Sequence, residues 1–418
     1  MKWIKREIDP VQVRGLSQRY EVDTLTASIL VRRNITDPEQ IQFYLENDLQ
    51  LLHNPFLFND MEDAVDRIIT AREEEEKVLV FGDSDADGIT STVLMTEALR
   101  DFGLEVFQKV PEGEEPYGLS KSTIDFAKEQ GVSLIVTVDC GISNHEEVLY
   151  ASQEGIDVII TDHHRIQTEE PPKAIAILDP KLPDCGYPFR DLSGCGVALK
   201  LAHALAIARL GICKEPLALL RAGQAIHQEI CPGAGASKLN TEKEANLEIE
   251  AIRLDNLLEA SRLKITSDNR GYFPSDTLEK LEKFLRGRIV IVWNKNTTEA
   301  FFKKNFAGLV ELEVIDLEKL AATVWPNMSG NSLEGLVRLS RLKKYAPGAF
   351  GAIDALKHIF NAYLLHTLQS QSLLNDRMFQ LTAFGTIADL MPLKNENRLI
   401  VRRGIESLNT APTNGIRE

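Results

Sequence analysis

The stretch VLVFGDSDADGITS, residues 78–91, decides the fold that the sequence predicts. Its short continuous apolar run is typical of a strand buried on both faces of a sheet, and GITSTVLMTEALRDFG after it has the pattern of a helix. Three aspartates lie at the junction, Asp83, Asp85 and Asp87, each two residues from the next. Carboxylates that close repel one another unless cations lie among them, so the spacing itself needs an explanation.

The same alternation of strand and helix continues along the chain. Further apolar runs occur at residues 104–110, 134–139, 157–162 and 174–180, with helical patterns such as STIDFAKEQG and HEEVLYASQEG between them. This alternation predicts a parallel sheet with helices on both faces. In such sheets, ligands bind beyond the carboxyl ends of the strands.

Three of the predicted strands end in an aspartate, namely Asp83, Asp139 and Asp162. Aspartate is also a common turn and cap residue, but three in equivalent places predict that acids meet at one edge of the sheet. His163 and His164 follow the last of them. Imidazole with carboxylate suits manganese, iron or zinc, whereas carboxylates alone suit magnesium or calcium. Such a set can hold two metals that activate a shared water and clamp a phosphoryl group.

Composition narrows the classes of function. The formal net charge of -15 argues against indiscriminate nucleic-acid binding, although it leaves room for a local basic groove. Five scattered cysteines without a CxxC pair argue against a disulfide framework or a zinc knuckle. No apolar run approaches the roughly 18 residues of a membrane span, and the start MKWIKREIDP lacks the apolar stretch of a signal peptide. We therefore expect a cytoplasmic protein without membrane contact.

Four motifs, in this order, resemble those of the DHH phosphoesterase superfamily: GDSDADG (82–88), Asp139 of VDCG, DHH (162–164) and GTIADLMPL (385–393). Three further segments resemble the RecJ-type exonucleases, which are specific for single-stranded DNA: NPFLFNDMEDAVDRI, PYGLS and DCGYPFRDLSGCGVALKLAHAL. Four ordered motifs are much more specific than the DHH tripeptide alone.

The resemblance covers about residues 1–212 and 372–418 and implies an α/β fold. A discontinuous parallel-sheet DHH domain, residues 61–212 and 372–418, is expected to follow a helical N-terminal module of residues 1–60. Helical periodicity in VDTLTASILVRR and DPEQIQFYL agrees with such a module.

The resemblance also implies two divalent cations, Mn2+ or Mg2+, and a role for each site residue. The implied ligands are Asp83 and Asp85 for one metal, Asp87, His163 and Asp389 for the other, and Asp139 bridging the two. A bridging hydroxide would attack in line, and His164 would lie against the scissile phosphate as an electrophile or as proton donor to the leaving oxygen. The structural alternatives are a strand-end cap for Asp83 and a satisfied core histidine for His164.

The glycine-rich segment SGCGVALKL, residues 193–201, opens a predicted helix. Its free N–H groups could bind a phosphate, or its glycines could serve close backbone packing. By resemblance the segment lines the DNA path, which favours substrate contacts by these residues: Ser193, Gly194, Gly196 and Lys200.

Residues 214–370 interrupt the family pattern with a predicted second α/β domain. A loop-like approach rich in Asn and Glu precedes the helix PSDTLEKLEKFL and the strands RIVIVW and ELEVID. The segment faintly resembles a proofreading-type exonuclease of the RNase-H-like class, but Thr298 stands where an acid is expected and only Asp316 and Asp354 remain. Two isolated acids cannot assemble a two-metal site, so we expect an inactive scaffold, docking surface or strand guide.

A basic run in the same segment has two interpretations. The run consists of Arg338, Arg341, Lys343 and Lys344. It could face DNA, but such runs more often form a solvent-exposed helix face.

The function that the resemblance implies is 5′-to-3′ exonuclease action on single-stranded DNA in repair and recombination. Implied partners are the DNA and, beyond it, a single-strand-binding protein or a helicase. Two alternatives remain: hydrolysis of short oligonucleotides, cyclic dinucleotides or pyrophosphate, and a non-catalytic scaffold. VPEGEE replaces an arginine-containing segment of the family, and the chain stops at TAPTNGIRE, before the family's DHH-associated domain and OB-fold. We therefore expect a shortened form that binds metal yet processes DNA poorly.

Overall fold

The structure, a computed structural model, describes residues 7–113, 117–167, 170–225, 246–307, 313–346 and 350–412. Within these residues the helices are α1 (Pro10–Tyr20), α2 (Thr24–Arg32), α3 (Pro38–Leu45), α4 (Met61–Glu73), α5 (Ala86–Phe102), α6 (Lys121–Glu129), α7 (His145–Gln153), α8 (Gly194–Arg209), α9 (Thr277–Leu285), α10 (Lys295–Asn305), α11 (Leu317–Val324), α12 (Leu333–Leu339), α13 (Ala352–Ser370), α14 (Asp376–Ala388) and α15 (Asn395–Thr410). The strands are β1 (Lys77–Gly82), β2 (Glu105–Lys109), β3 (Val132–Val138), β4 (Asp157–Thr161), β5 (Ala176–Leu178), β6 (Leu217–Gln224), β7 (Leu247–Asp255), β8 (Leu258–Thr266), β9 (Ile289–Val292) and β10 (Val314–Asp316).

The chain divides into two compact units. The first unit comprises Met1–Gln42 and Lys214–His366, and the second unit comprises Phe43–Cys213 and Thr367–Glu418. The domain bounds predicted from the sequence, with a helical module of residues 1–60 separate from the other two domains, stay a prediction.

A five-stranded parallel sheet forms the centre of the second unit, as the alternation of strands and helices predicts. Its order is β2-β1-β3-β4-β5, and every neighbouring pair is parallel. Residues Val78 to Phe81 of β1 are at most 1% exposed, so this strand is covered on both faces. The winding reverses between β1 and β3, and crevices at such switch points are where open parallel sheets bind ligands.

The helices of the second unit pack on the sheet and on one another. Leu79, Phe81 and Ile135 of the sheet share one core with Ile124 of α6 and Val148 of α7. This buried apolar surface is the largest favourable contribution to folding of such a domain.

Helix α15 lies in direct backbone contact with α14. A Cβ added at Gly404 would come within 2.5 Å of both the Cβ of Ala383 and the carbonyl oxygen of Phe379. Glycine is therefore required at this crossing because no side chain fits between the two helices.

A second sheet, of mixed direction, forms the centre of the first unit and confirms the predicted second α/β domain. Its order is β10-β9-β6-β7-β8, with β6 parallel to β9 and antiparallel to β7. Leu217 and Leu219 face the core shared with α11, α12 and α13, whereas Ala218 and Leu220 face the core shared with α9 and α10. The sheet is therefore covered on both faces.

The expectation of a loop-like approach before α9 is wrong for the described part of this stretch, which contributes β6 and the hairpin of β7 and β8, whereas residues 226–245 of it lie outside the described residues. The Glu-rich composition suggested a loop, yet Glu250 lies directly opposite Arg221 on β6 and Lys264 on β8. Arg221 Nη1 is 3.6 Å from a carboxylate oxygen of Glu250, and the Lys264 ammonium is 3.7 Å from the other. Cross-strand ion pairs of this kind stabilise a strand whose carboxylates would otherwise favour solvent.

The first two helices also belong to the first unit. The ring of Tyr20 stacks on that of Tyr345 with centroids 5.4 Å apart, Arg19 Nε donates to the Lys344 carbonyl, and Lys344 Nζ donates to the Tyr20 carbonyl. Lys343 Nζ donates to the carbonyl of Arg338. Two members of the basic run thus contact main-chain carbonyls, and a DNA contact by the run stays a prediction.

Among the described helices, no segment has both the length and the apolar character that crossing a bilayer requires.

The close crossing of α14 and α15 predicts a large effect from a single methyl group. Gly404→Ala should lower the free energy of unfolding by about 1–3 kcal/mol, because neither the Phe379 backbone nor Ala383 can move aside freely. The matched control is Gly15→Ala in α1, where a Cβ would meet nothing within 4 Å. That change should raise stability by about 0.5–1 kcal/mol through helix propensity. Urea denaturation followed by circular dichroism measures both, and equal effects would contradict the predicted close packing.

Candidate metal centre

The candidate metal centre lies at the carboxyl ends of β1, β3 and β4. Asp83 follows β1, Asp139 follows β3, and Asp162 and His163 follow β4. These strands are neighbours and parallel, so their carboxyl ends meet at one edge of the sheet beside the switch point. The structure thereby brings together the strand-end acids that the sequence predicts to meet.

The turn from β1 into α5 gives its three aspartates different environments. Asp85 caps α5, since its Oδ1 accepts a hydrogen bond from the Gly88 N–H at 2.9 Å. Asp83 accepts from the N–H of Ser84 at 2.7 Å, and Asp87 in the first helical turn is 1% exposed. A Cβ at Gly88 would lie 2.5 Å from the Asp83 carbonyl, so the turn depends on glycine for its tightness.

The N-terminus of α8 binds the carboxylate of Asp87. The N–H of Gly194 donates to Oδ2 at 2.7 Å and that of Cys195 to Oδ1 at 3.1 Å. Ser193 is fully buried and caps the helix by accepting from the Gly196 N–H at 3.1 Å. Helix N-termini favour negative charge, and here the charge is supplied by the protein itself. The sequence left phosphate binding and close packing at glycine open, and the resemblance favoured substrate contact. In the structure the N–H groups of Gly194 and Cys195 bind Asp87, and substrate contact by Ser193, Gly194 and Gly196 stays a prediction.

Lys200, predicted to contact the substrate, is buried inside the second unit. It is 1% exposed, and its ammonium binds the carboxylate of Glu396 and the carbonyl of His53. The Tyr187 hydroxyl donates to the same carboxylate. A buried cation needs such partners, and it has no exposed surface with which to meet a phosphate. We therefore correct the predicted role of Lys200 to a structural one that joins α8 to the start of α15.

His163 lies among three carboxylates from three separate segments. Its Nε2 is 3.1 Å from Asp139 Oδ1, 3.5 Å from Asp389 Oδ2 and 4.0 Å from Asp87 Oδ2. Asp389 lies at the C-terminus of α14. In the chain it follows residues 214–366, which belong to the first unit. Asp139 has a φ of +59°, and a Cβ at Gly194 would lie 2.3 Å from its Oδ1, so α8 packs directly on this aspartate.

His164 is oriented by Asp162, which the sequence places at this edge without giving it a role, and by Tyr117, which the sequence analysis did not single out. Its Nδ1 donates to Asp162 Oδ1 at 2.8 Å, and the buried Asp162 also accepts from the Ile142 N–H at 2.9 Å. The Tyr117 hydroxyl is 3.3 Å from the same Nδ1 and 3.3 Å from the carbonyl of Asp139. The strand-end rule placed Asp162 at this edge but did not indicate that it orients His164, and no periodic pattern in PYGLS indicates Tyr117.

Burial and neighbouring charges shift the pKa values of the centre strongly. Burial, with the nearby Asp139 carboxyl, raises the pKa of Asp87 to about 7, and burial raises that of Asp139 to about 8. The hydrogen bond to Asp162 raises the pKa of His164 to about 9, whereas burial lowers that of His163. At neutral pH the first histidine of the pair is therefore a neutral imidazole and the second an imidazolium.

Three groups of side chains in the described part of the chain could hold a metal ion, with ligand atoms within 4.8 Å of one another: Asp83, Asp85 and Asp139; Asp87, His163 and Asp389; and Asp139, His163 and His164. Oδ1 of Asp139 and Oδ2 of Asp389 are buried and, among the described residues, have no hydrogen-bond partner. Buried acceptors without donors are rare, and a bound cation relieves them. Carboxylates with one or two imidazoles fit Mn2+ well, and the carboxylate-only group fits Mg2+.

Comparison with known proteins finds relatives for part of the chain. Residues 77–223 match the DHH family, N-terminal domain. The single-stranded-DNA-specific exonuclease RecJ of Bacillus subtilis (strain 168) is 40% identical over 206 residues, and that of Haemophilus influenzae is 41% identical over 163 residues. These matches cover 49% and 38% of this chain, but 26% and 28% of the relatives. The chain thus spans about a quarter of the length of these relatives.

Solved structures with a similar segment include two RecJ proteins. An exonuclease RecJ bound to manganese is 32% identical with a TM-score of 0.34, and the match covers 39% of this chain and 40% of that one. RecJ from Thermus thermophilus in complex with Mn2+ is 26% identical with a TM-score of 0.38, and the match covers 49% of this chain and 28% of that one. The metal in each belongs to that protein, and for this chain the fit rests on the side chains described above.

Metal binding at this centre is expected to release protons. The carboxyls of Asp87 and Asp139 keep their protons up to about pH 7 and 8, whereas a divalent cation binds the carboxylate forms. Uptake of Mn2+ by the full chain at pH 7 should release about one proton or more, and the apparent affinity should rise from pH 6 to pH 9. Titration calorimetry in buffers of different ionisation enthalpy measures the proton count.

Two variants control this experiment. Asp139→Asn removes one of the two protonated carboxyls and should reduce both proton release and affinity, whereas Asp125→Asn, on the exposed face of α6, should change neither. Tight Mn2+ uptake at pH 7 without proton release would contradict the raised pKa values.

Proposed function

Taking residues 77–223 as a DHH-family domain of the RecJ type, we propose that this chain hydrolyses phosphodiester bonds of single-stranded DNA from the 5′ end. The observation that carries the proposal is the convergence of Asp87, Asp139 and Asp389 within 4.0 Å of His163 Nε2. A strand-end cap or a core histidine does not require acids from three distant segments, whereas a metal-dependent phosphodiesterase does.

We assign the ligands of two cations, Mn2+ or Mg2+, as follows: Asp83 and Asp85 for one, Asp87, His163 and Asp389 for the other, and Asp139 shared. Two of the three metal-capable groups support this division, because they contain these residues and Asp139 lies next to both. When bound, the cations supply positive charge that lowers the pKa of water and neutralises phosphate oxygens.

The proposed part of His164 is to protonate the leaving oxygen. Its raised pKa keeps a proton on the ring at neutral pH, and 44% of its side chain is exposed, so a substrate can reach it. Nδ1 donates its hydrogen bond to Asp162, so Nε2 is the nitrogen that donates a proton to the leaving oxygen. Tyr117 packs edge-on against the same ring, with centroids 6.0 Å apart, and limits its rotation. Asp162 and Tyr117 are therefore positioning residues.

For the first unit we propose a role without catalysis. Each residue that would mark a second nuclease centre has a structural partner in the described part of the chain. Thr298 Oγ1 donates to the Asn294 carbonyl, Asp316 accepts from the Lys319 N–H as the cap of α11, and Asp354 pairs with Arg262. None of the metal-capable groups among the described residues includes any of them.

Substrate length distinguishes the exonuclease from its alternatives. A long single strand labelled at its 5′ end should lose its label as mononucleotide in Mn2+, whereas the same strand labelled at its 3′ end should shorten progressively. Consumption of dinucleotides or cyclic dinucleotides in preference to the long strand would replace the proposal with a small-substrate phosphodiesterase. A role in repair and recombination belongs to the same proposal, and a single-strand-binding protein or helicase partner stays a prediction from the resemblance.

Removal of the shared ligand is expected to abolish hydrolysis. Asp139→Asn keeps the size of the side chain but not its charge, and asparagine tolerates the positive φ of this position, so the fold should persist. Release of labelled nucleotide should fall to background, while the Asp125→Asn control keeps its activity. Hydrolysis that survives in purified Asp139→Asn protein would refute the two-metal assignment.

His164→Gln is expected to separate chemistry from metal binding. Loss of the proton donor should lower turnover by about 100- to 10,000-fold while Mn2+ affinity stays close to that of the unchanged protein. Single-turnover assays and calorimetric titration measure the two quantities. If affinity falls in parallel with turnover, His164 is a ligand in the group with Asp139 and His163, and its role as proton donor is wrong.

A further inference from the structure

A cavity of about 500 Å3 in the first unit has no part in the metal centre. It is lined by the loop that follows β8, by the C-terminal end of α10 and by Leu247 at the start of β7. The volume lies in the range of small-molecule and cofactor sites, so one nucleotide could enter it.

The lining combines aromatic rings with cations. Tyr272 is 71% exposed, although large aromatic side chains normally bury most of their surface. Phe273 packs on Phe306 with ring centroids 5.3 Å apart, and both residues line the cavity. Arg270 and Lys304 supply the positive charge, and neither forms an ion pair with a described residue. No carboxylate side chain lines the cavity among the described residues.

The loop that presents Tyr272 is held in one conformation. Asp268 Oδ1 accepts from the N–H groups of Arg270 and Tyr272 at 2.9 and 2.8 Å, and the Asp268 N–H donates to the Tyr272 carbonyl at 2.9 Å. Gly271 supplies the positive φ, +83°, that closes the turn. The backbone that presents the exposed ring is therefore preorganised, and binding there costs little loop entropy.

We propose that this cavity binds a nucleotide unit of single-stranded nucleic acid, with the base stacked on Tyr272 and the phosphate near Arg270 and Lys304. Proteins that hold single strands without sequence preference combine an aromatic platform with backbone-tracking cations, which is the combination found here. An acidic peptide would also meet the cations, but it carries no planar base to stack on the exposed ring of Tyr272. The inference goes beyond the proposed hydrolysis, because stacking requires neither a metal nor catalysis.

The test is binding of a fluorescent oligothymidylate to the full chain in EDTA, where hydrolysis cannot interfere, followed by fluorescence anisotropy. Tyr272→Ala should weaken binding about 10-fold through loss of one stacked base, whereas Tyr272→Phe, which keeps the ring, should bind like the unchanged protein. Lys304→Glu should also weaken binding and should flatten its salt dependence.

The matched control is Lys303→Glu, which makes the same charge change one residue earlier on α10 but outside the cavity lining. It should weaken binding much less than Lys304→Glu. Equal losses would mean that net charge alone governs binding and would overturn the proposal, as would unchanged affinity in Tyr272→Ala. Circular dichroism of each variant checks that the first unit is folded.

Two further outcomes locate the ligand. A 5-iodouracil oligonucleotide should crosslink on irradiation to the peptide that contains Tyr272, and a crosslink found only elsewhere would place the strand outside this cavity. Thymidine monophosphate should compete far more weakly than the oligonucleotide. If it competes equally well, the cavity is a site for free nucleotides and the proposed strand contact is wrong.

Discussion

Two main-chain hydrogen bonds, from Gly194 and Cys195 to the carboxylate of Asp87, are the interaction on which the candidate metal centre depends. They direct the positive end of the α8 dipole at the most crowded part of an acidic site and so offset part of the repulsion there. They also fix the distance between α8 and α5. Because Gly194 lies against Asp139 as well, any side chain at that glycine would displace the aspartate from His163. One helix terminus thus sets the position of two of the three carboxylates around the imidazole.

The parts of the site that follow from strand order were predictable from the sequence. An apolar run followed by an aspartate places that aspartate at the end of a strand, and parallel strands in sequence order place such ends at one edge. Asp83, Asp139 and Asp162 obey this rule, and the pairing of β1 with β3 and of β3 with β4 brings them together. Asp389 follows a helix instead, so only the resemblance to a family connected it with the site.

The remaining features could not be predicted because they depend on partners distant in the chain. A glycine-rich helix start binds whichever anion is nearest, and the sequence did not show that Asp87 would be nearer than a substrate. Lys200 looked like an exposed cation until the fold placed Glu396 beside it. The glutamates of β7 likewise indicate a loop unless Arg221 and Lys264 are known to lie opposite. In each case the partner of a charged group lies far away in the chain, and local composition carries no information about that contact.

The raised pKa values of Asp87 and Asp139 show that burying these acids, and placing them close to other acids, costs free energy in the folded protein. On the proposed assignment, a cation that binds the folded chain and not the unfolded one stabilises it by mass action, by about 2.7 kcal/mol at a free concentration one hundred times the dissociation constant. The concentration of divalent metal would then control the fraction of the protein that is folded as well as its rate of hydrolysis. Chelation would act on this chain as a mild denaturant.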